Sequence, residues 1–315
     1  MVKNYKCTLK EILLFLIFLF PLTVYSQIED SVWHANRSEY VFGIGPSSAF
    51  TDIGGSVLNG THFLRDFNSS ATRIGGFIGY RKRISNALSI KGIITGGEIY
   101  GNDNLSENTF RYNRNQDFRS QIIEPSIQVE YHFFKAKNKF KQDTIIEREK
   151  GHLFRHWDLY AFSGIGAFYF NVQGKYNGGP LTPPGMNINE WYELRPLSTE
   201  GEGLPGGPSE YTPFAICFPL GIGLKYVLNK NWSIGLELSD RIWTSTDYLD
   251  DTHGNYFNNS EILKYKGSIA AYFADPSKNL IADQDLVGQE RGDPKYNDSY
   301  MFVFFCINYH LIKHH

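Results

Sequence analysis

The acids of "TDYLDDTHGNY" are the first candidates for chemistry in this 315-residue sequence, because Asp247, Asp250, Asp251 and Asn255 supply oxygen ligands of the kind that hold calcium. Their spacing departs from the alternating acids of an EF-hand loop, so a solvated Asp-rich turn is the simpler expectation. A second group, Lys91, Glu124, Glu130, Lys225, Glu237 and Arg241, carries both signs near the middle of alternating segments. Buried charges persist when paired, so these read as a plugged interior in preference to an ion or proton path. Glu237 and Arg241 lie four apart on one strand face, so their partners are expected on neighbouring strands.

A third group sits in "KAKNKFKQDTIIEREKGHLFRHW", where Lys135, Lys137, Lys139, Lys141, Arg148, Lys150 and Arg155 face Asp143, Glu147 and Glu149, giving 7 - 3 = +4. A solvated hairpin extension and a docking element for an acidic partner are both consistent with it. The histidines His62, His132, His152, His156, His253 and His310 show no spacing that joins a nucleophile to a base. "STEGEGLPGGP" has four glycines but no Lys-Ser/Thr after them, so it reads as turns at an exposed loop tip and not as a phosphate loop. No catalytic residue, cofactor site or assured metal site emerges.

The elements that must carry these groups begin after a secretory signal. Lys3, Lys6 and Lys10 precede the apolar run "ILLFLIFLF", which is too short to span a bilayer, and cleavage is expected after Ser26. Residues 1–26 are thus a signal peptide, 27–38 a short lead and 39–315 the mature domain. No cysteine stands where a lipid anchor would need one. Cys217 and Cys306 remain in the mature chain and are expected to be buried and unpaired. A net charge of -2 provides no basic field for nucleic acid, and 20 Tyr, 24 Phe and 30 Gly favour β structure.

Eight segments alternate with period two: 40–45, 73–84, 88–100, 119–134, 160–171, 214–228, 232–245 and 299–312. Ile123, Ile127, Val129, Tyr131 and Phe133 share one face, opposite Glu124, Ser126, Gln128, Glu130 and His132. In "YAFSGIGAFYFN" the bulky face holds Tyr160, Phe162, Phe168 and Phe170, and it is expected to point at lipid. Tyr80, Tyr131, Phe133, Tyr160, Phe170, Tyr226, Trp232 and Tyr309 would then form interfacial girdles. Four connections are long (46–72, 101–118, 172–213 and 246–298), and they alternate with short turns at 85–87 and 229–231. Only the basic segment breaks the alternation.

Long loops at one end and short turns at the other predict an eight-stranded antiparallel up-and-down transmembrane β-barrel of the outer-membrane type. The alternative is a secreted β-sandwich. On the barrel reading Leu220 faces lipid and Gly221 the interior, so Gly221→Ser is expected to be milder than Leu220→Arg.

"FYFNVQGKYNG", "WYELRPLSTEGEGLPG", "PLGIGLKYVLNKNWSIGLELSDRIWTSTDYLDDTHGNY" and "RGDPKYNDSYMFVFFCINYHL" together resemble an outer-membrane β-barrel family of largely unknown function that includes PorG-type components of type IX secretion. The resemblance spans about residues 40 to 311 and departs at "NGGPLTPPGMNINE" after Tyr176. It implies an eight-stranded barrel in the outer membrane of a diderm bacterium, monomeric in itself and surrounded by lipid. It also implies an accessory role with a periplasmic secretion-ring or adaptor partner. A rim-active barrel enzyme on lipid or peptide and a narrow transport channel are the alternatives.

Overall fold

The computed structural model describes residues 38–53, 69–106, 108–134, 156–179, 183–278 and 286–311. The signal and the lead up to residue 37 lie outside them, as do Lys135, Lys137, Lys139, Lys141, Arg148 and Arg155 of the basic segment.

Eight long strands run antiparallel in chain order: β1 (Ser38–Phe50), β2 (Arg73–Arg83), β3 (Leu88–Asn102), β4 (Asp117–Phe134), β5 (Trp157–Lys175), β7 (Phe214–Val227), β8 (Trp232–Thr244) and β9 (Ser299–Leu311). A three-residue strand, β6 (Trp191–Glu193), extends the β5 ladder at its long-loop end. β1 pairs with both β2 and β9, and β4 with β5, so the ring is closed. Closure removes the edges of the eight long strands. β1 extends five residues past the alternating stretch 40–45, because Ser47 to Phe50 still pair with β9. The turns β2–β3 and β7–β8 are tight: Ser85 Oγ accepts from Leu88 N and Asn229 Oδ1 from Trp232 N.

The outer face is a belt of apolar side chains. Ile44, Ile74, Ile78, Ile94, Ile123, Ile127, Ile165, Ile216, Leu220, Ile222, Phe305 and Ile307 all stand exposed on alternate positions. On β4 the belt runs from Phe133 up to Ile123 and gives way to Gln121 and Arg119. Near the short-turn end, ring pairs Tyr40–Tyr80, Tyr131–Phe133, Trp157–Tyr226 and Trp232–Tyr309 mark one membrane interface.

One face assignment is reversed. Tyr160, Phe162, Phe168 and Phe170 are at most 3% exposed and point into the barrel, while Ser163, Ile165, Ala167 and Tyr169 face outward. Tyr160 and Phe170 therefore belong to no girdle. The reason is room and partners. A Cβ on Gly221 would meet Phe162 Cζ at 2.4 Å, and one on Gly223 would meet Tyr160 Cζ at 2.2 Å. The glycines of β7 leave the space that the rings of β5 fill.

The long loops fold into a cap. α1 (Thr109–Arg114) starts at Asn108, whose side chain accepts from Phe110 N and Arg111 N. α2 (Asn259–Lys266) and α3 (Ser268–Ala274) meet at Gly267, where φ is 90. α3 is buried from Ala270 to Ala274, and Phe273 joins Phe118, Phe168, Phe170 and Tyr300 in the core beneath.

Candidate functional site

The lumen is the place where this sequence concentrates chemical groups, because each strand turns its polar positions inward. Nearest the short turns, Lys225 Nζ lies 3.0 Å from Glu39 Oε1 and 3.6 Å from Asp158 Oδ2, and Arg83 Nη2 lies 3.1 Å from Asp158. His132 Nδ1 is 2.7 Å from Asp158 Oδ1, and its Nε2 is 2.9 Å from Ser89 Oγ. One layer up, Arg81 donates to Glu39 and Glu130, each at 2.9 Å. Lys91 donates to both oxygens of Glu237 at 2.8 and 3.0 Å, and the Tyr160 hydroxyl donates to Glu237 at 2.6 Å.

Rings fill the next layer. Lys91 Nζ sits 4.5 Å from the centre of Phe162, and Phe302 stacks on Phe304 at 5.0 Å. Above them Arg241 donates to Glu124 through two nitrogens at 2.7 and 3.0 Å, and Tyr300 donates to the same carboxylate at 2.9 Å. The Arg241 guanidinium lies 4.9 Å from the Phe302 ring. Paired, fork-shaped contacts of this kind are the strong form of charged hydrogen bond.

All six lumen charges expected from sequence are thus buried and engaged. Glu237 and Arg241, four apart, belong to different layers and find partners on other strands. Glu39, Arg81, Arg83, Asp158, His132 and His310 complete the network and were not singled out as charge partners, since they lie toward strand ends. The signal for them is present: Arg81 shares its strand face with Gly79 and Phe77, and Glu39 with Val41. Arg81, Arg83, Lys91, Lys225 and Arg241 face Glu39, Glu124, Glu130, Asp158 and Glu237, five of each sign.

Ser89, His132 and Asp158 have the distances of a hydrolase triad. Ser89 is 0% exposed, so a substrate carbonyl does not reach its hydroxyl, and the trio serves as the last rung of the lumen network. Cys217 and Cys306 are free and buried within the same interior, as expected.

The Asp-rich turn is not solvated. Asp247, Asp250 and Asp251 are at most 4% exposed. Asp250 accepts from Ile53 N at 2.9 Å and from Thr252 N at 2.9 Å, while Asp251 accepts hydroxyls of Thr199 and Tyr211 at 2.6 Å each. Asp247 lies 2.8 Å from His253 Nδ1, and Asn255 bridges to Glu290 through its backbone. These four do not converge as ligands; among the described residues no three acid, imidazole or thiol side chains group as a metal site. The glycine-rich stretch does form turns, with Gly201, Gly203 and Gly206 at positive φ, but Thr199, Glu200 and Glu202 are buried under the cap and not at a tip. Burial raises the cap acids: Asp52 to about 6, with repulsion from Asp250, and Asp251 to about 8, with repulsion from Glu202.

A closed ring of eight antiparallel strands, an apolar outer belt with ring pairs at its edge, a polar interior, and long loops at one end only define an outer-membrane β-barrel. The chain is such a protein, of the Gram-negative outer membrane. No protein-family model and no curated protein sequence matches it. Among solved structures it is similar to Ail, the attachment invasion locus protein of Yersinia pestis, at 9% identity, covering 88% of this chain and 99% of that one, with TM-score 0.35. It is also similar to the N-terminal β-barrel domain of Pseudomonas aeruginosa OprF (10%, 88% and 99%, 0.31) and to neisserial surface protein A (9%, 87% and 96%, 0.32). At such identities the likeness concerns the fold alone, and the class rests on the ring and belt of this chain.

Proposed function

We propose that the protein is a non-conducting structural or accessory component of the outer membrane, acting in type IX secretion in the manner of PorG-type barrels. The observation that carries the non-conducting part is the burial of the lumen charges: Lys91, Glu124, Glu130 and Arg241 are each 0% exposed. A water-filled lumen would wet them, and here each is held by an opposite charge across the barrel. Among the described residues the Ser89–His132–Asp158 trio has triad distances but is sealed from solvent, which supports a structural over a catalytic reading.

The secretion role rests on the family resemblance and on the +4 segment between β4 and β5, which breaks the pattern of short periplasmic turns. A cationic extension of that length has the reach and charge to steer an acidic periplasmic partner. Replacing residues 136–155 by an Asn-Gly turn, which suits antiparallel neighbours, is expected to leave a folded, heat-modifiable barrel that no longer co-purifies with a secretion-ring or adaptor protein. Reversing Lys137, Lys139 and Lys141 is expected to weaken the association in a salt-dependent way. A shortened protein that retrieves every wild-type partner and supports secretion would refute this docking role.

A further inference from the structure

Along the outward face of β4, Ile123 is followed by Gln121 and then by Arg119, the first cation beyond the apolar belt on this strand. Four residues of strand tilted by about 35–45° carry Arg119 about 10 Å above Ile123, where hydrocarbon has given way to headgroups. Its Nε donates to Gln173 Oε1 at 2.7 Å, and its guanidinium lies 4.4 Å from the centre of the Trp191 ring. The two terminal nitrogens make no hydrogen bond among the described residues. Trp191 sits opposite Lys175 in the β5–β6 ladder, and Lys175 has no acid within ion-pair distance among the described residues.

The acids of this face are Glu98 and Glu193. Glu98 lies 3.5 Å from Arg73 Nε, and Glu193 accepts from Asn171 at 3.4 Å. Arg73 also stands 3.7 Å from the Tyr100 ring, which meets Trp191 edge-on at 6.4 Å. Arg73, Arg119 and Lys175 against two acids leave the face positive, and the two rings hold the arginines in place.

Nearer the middle of the barrel the belt is notched. Gly76 and Gly96 face each other on β2 and β3, between Ile44 on β1 and Ile123 on β4, and Ile78 and Ile94 bound them toward the middle. Two missing side chains on neighbouring strands open about 10 Å of belt. A Cβ on Gly96 would meet no atom closer than 4.0 Å, so the packing of the barrel does not require glycine there.

We propose that this face seats one phosphorylated glycolipid of the outer leaflet, with acyl chains in the Gly76–Gly96 notch and a phosphate on the open nitrogens of Arg119 beside Lys175. Between them the amides of Gln121 and Asn171 meet sugar hydroxyls. Guanidinium and phosphate match as a fork, the strong form of charged hydrogen bond. The notch selects a lipid over a free anion, to which it offers nothing. The leaflet follows from the long loops at this end, which outer-membrane barrels turn outward. The seat is independent of the secretion role.

The test is native mass spectrometry of the full barrel in micelles, titrated with bis-phosphorylated lipid A and, separately, with its dephosphorylated form. One phosphorylated molecule per barrel is expected to be retained, and the dephosphorylated form about tenfold less, the loss that goes with a charged hydrogen bond. Arg119→Gln with Lys175→Gln should lower retention of the phosphorylated form by a similar factor, whereas Lys82→Gln, an exposed cation toward the short turns, should leave it unchanged. Gly96→Leu should keep the barrel heat-modifiable and weaken retention of both forms. Micelles have no leaflets, so retention reads the seat, and labelling of Asn258→Cys on intact cells reads the side on which it lies. Equal retention of the two lipids by the wild-type barrel overturns the proposal without any variant. Displacement of the lipid by excess inorganic phosphate overturns it also, since a free anion would then suffice.

Discussion

Glycine set against an aromatic ring on the next strand is the smallest unit of this barrel's packing. Gly221 receives Phe162, and its Cβ position also lies 2.2 Å from Leu238 O. Gly221→Ser therefore collides with a ring and with backbone, so the mild outcome expected from face assignment alone is withdrawn. Urea titration is predicted to show a loss for Gly221→Ser at least comparable with that for Leu220→Arg, for which about 2–4 kcal/mol is the cost of an arginine at the midplane of the lipid face. A serine variant as stable as wild type would show that Phe162 has another place to go. Arg241→Met tests the pairing directly, because it leaves Glu124 buried without its cation. Loss of one partner from such a pair costs about 3–5 kcal/mol, and Arg241→Met with Glu124→Gln is expected to recover part of it.

At the scale of elements, strand direction and loop length fix the topology. Asn258→Cys, exposed at the start of α2, is predicted to react with an impermeant maleimide on intact cells. Lys230→Cys, exposed in the β7–β8 turn, is predicted to react only after the outer membrane is permeabilised. The native thiols are buried and should stay silent in both. The reverse pattern would invert the barrel in the membrane. Most of the ring was legible in the sequence because β4 and β7 set isoleucines, leucines and valines against charged or small residues. The strand β5 was legible too, but the direction of its faces was not, since its bulky positions are aromatic, and aromatic rings suit lipid and a lumen equally. Gly221 and Gly223 on the neighbouring strand distinguish the two, and that pairing is a tertiary fact. The cap was misread for a related reason. Asp250, Asp251 and Glu200 look solvated in sequence, but backbone N–H groups of other loops draw Asp250 and Glu200 inside, and the hydroxyls of Thr199 and Tyr211 hold Asp251.

The whole molecule is a barrel whose interior is solid with matched charges and rings, closed above by a stapled cap. Five cations and five carboxylates cross the lumen, four of each on the short-turn side of the rings of Phe77, Phe162, Phe302 and Phe304, and Arg241 with Glu124 on the other. Such an interior leaves the two ends of the cylinder to meet partners, as the proposed accessory role requires. The measurement that tests this most directly is planar-bilayer recording of the purified, heat-modifiable protein. The predicted result is no steady open-channel conductance above leak across about ±100 mV, for wild type and for the protein with residues 136–155 replaced. Reproducible steady conductance from the wild-type barrel would mean that water and ions pass between Arg81, Lys91 and Arg241, and would contradict the filled lumen.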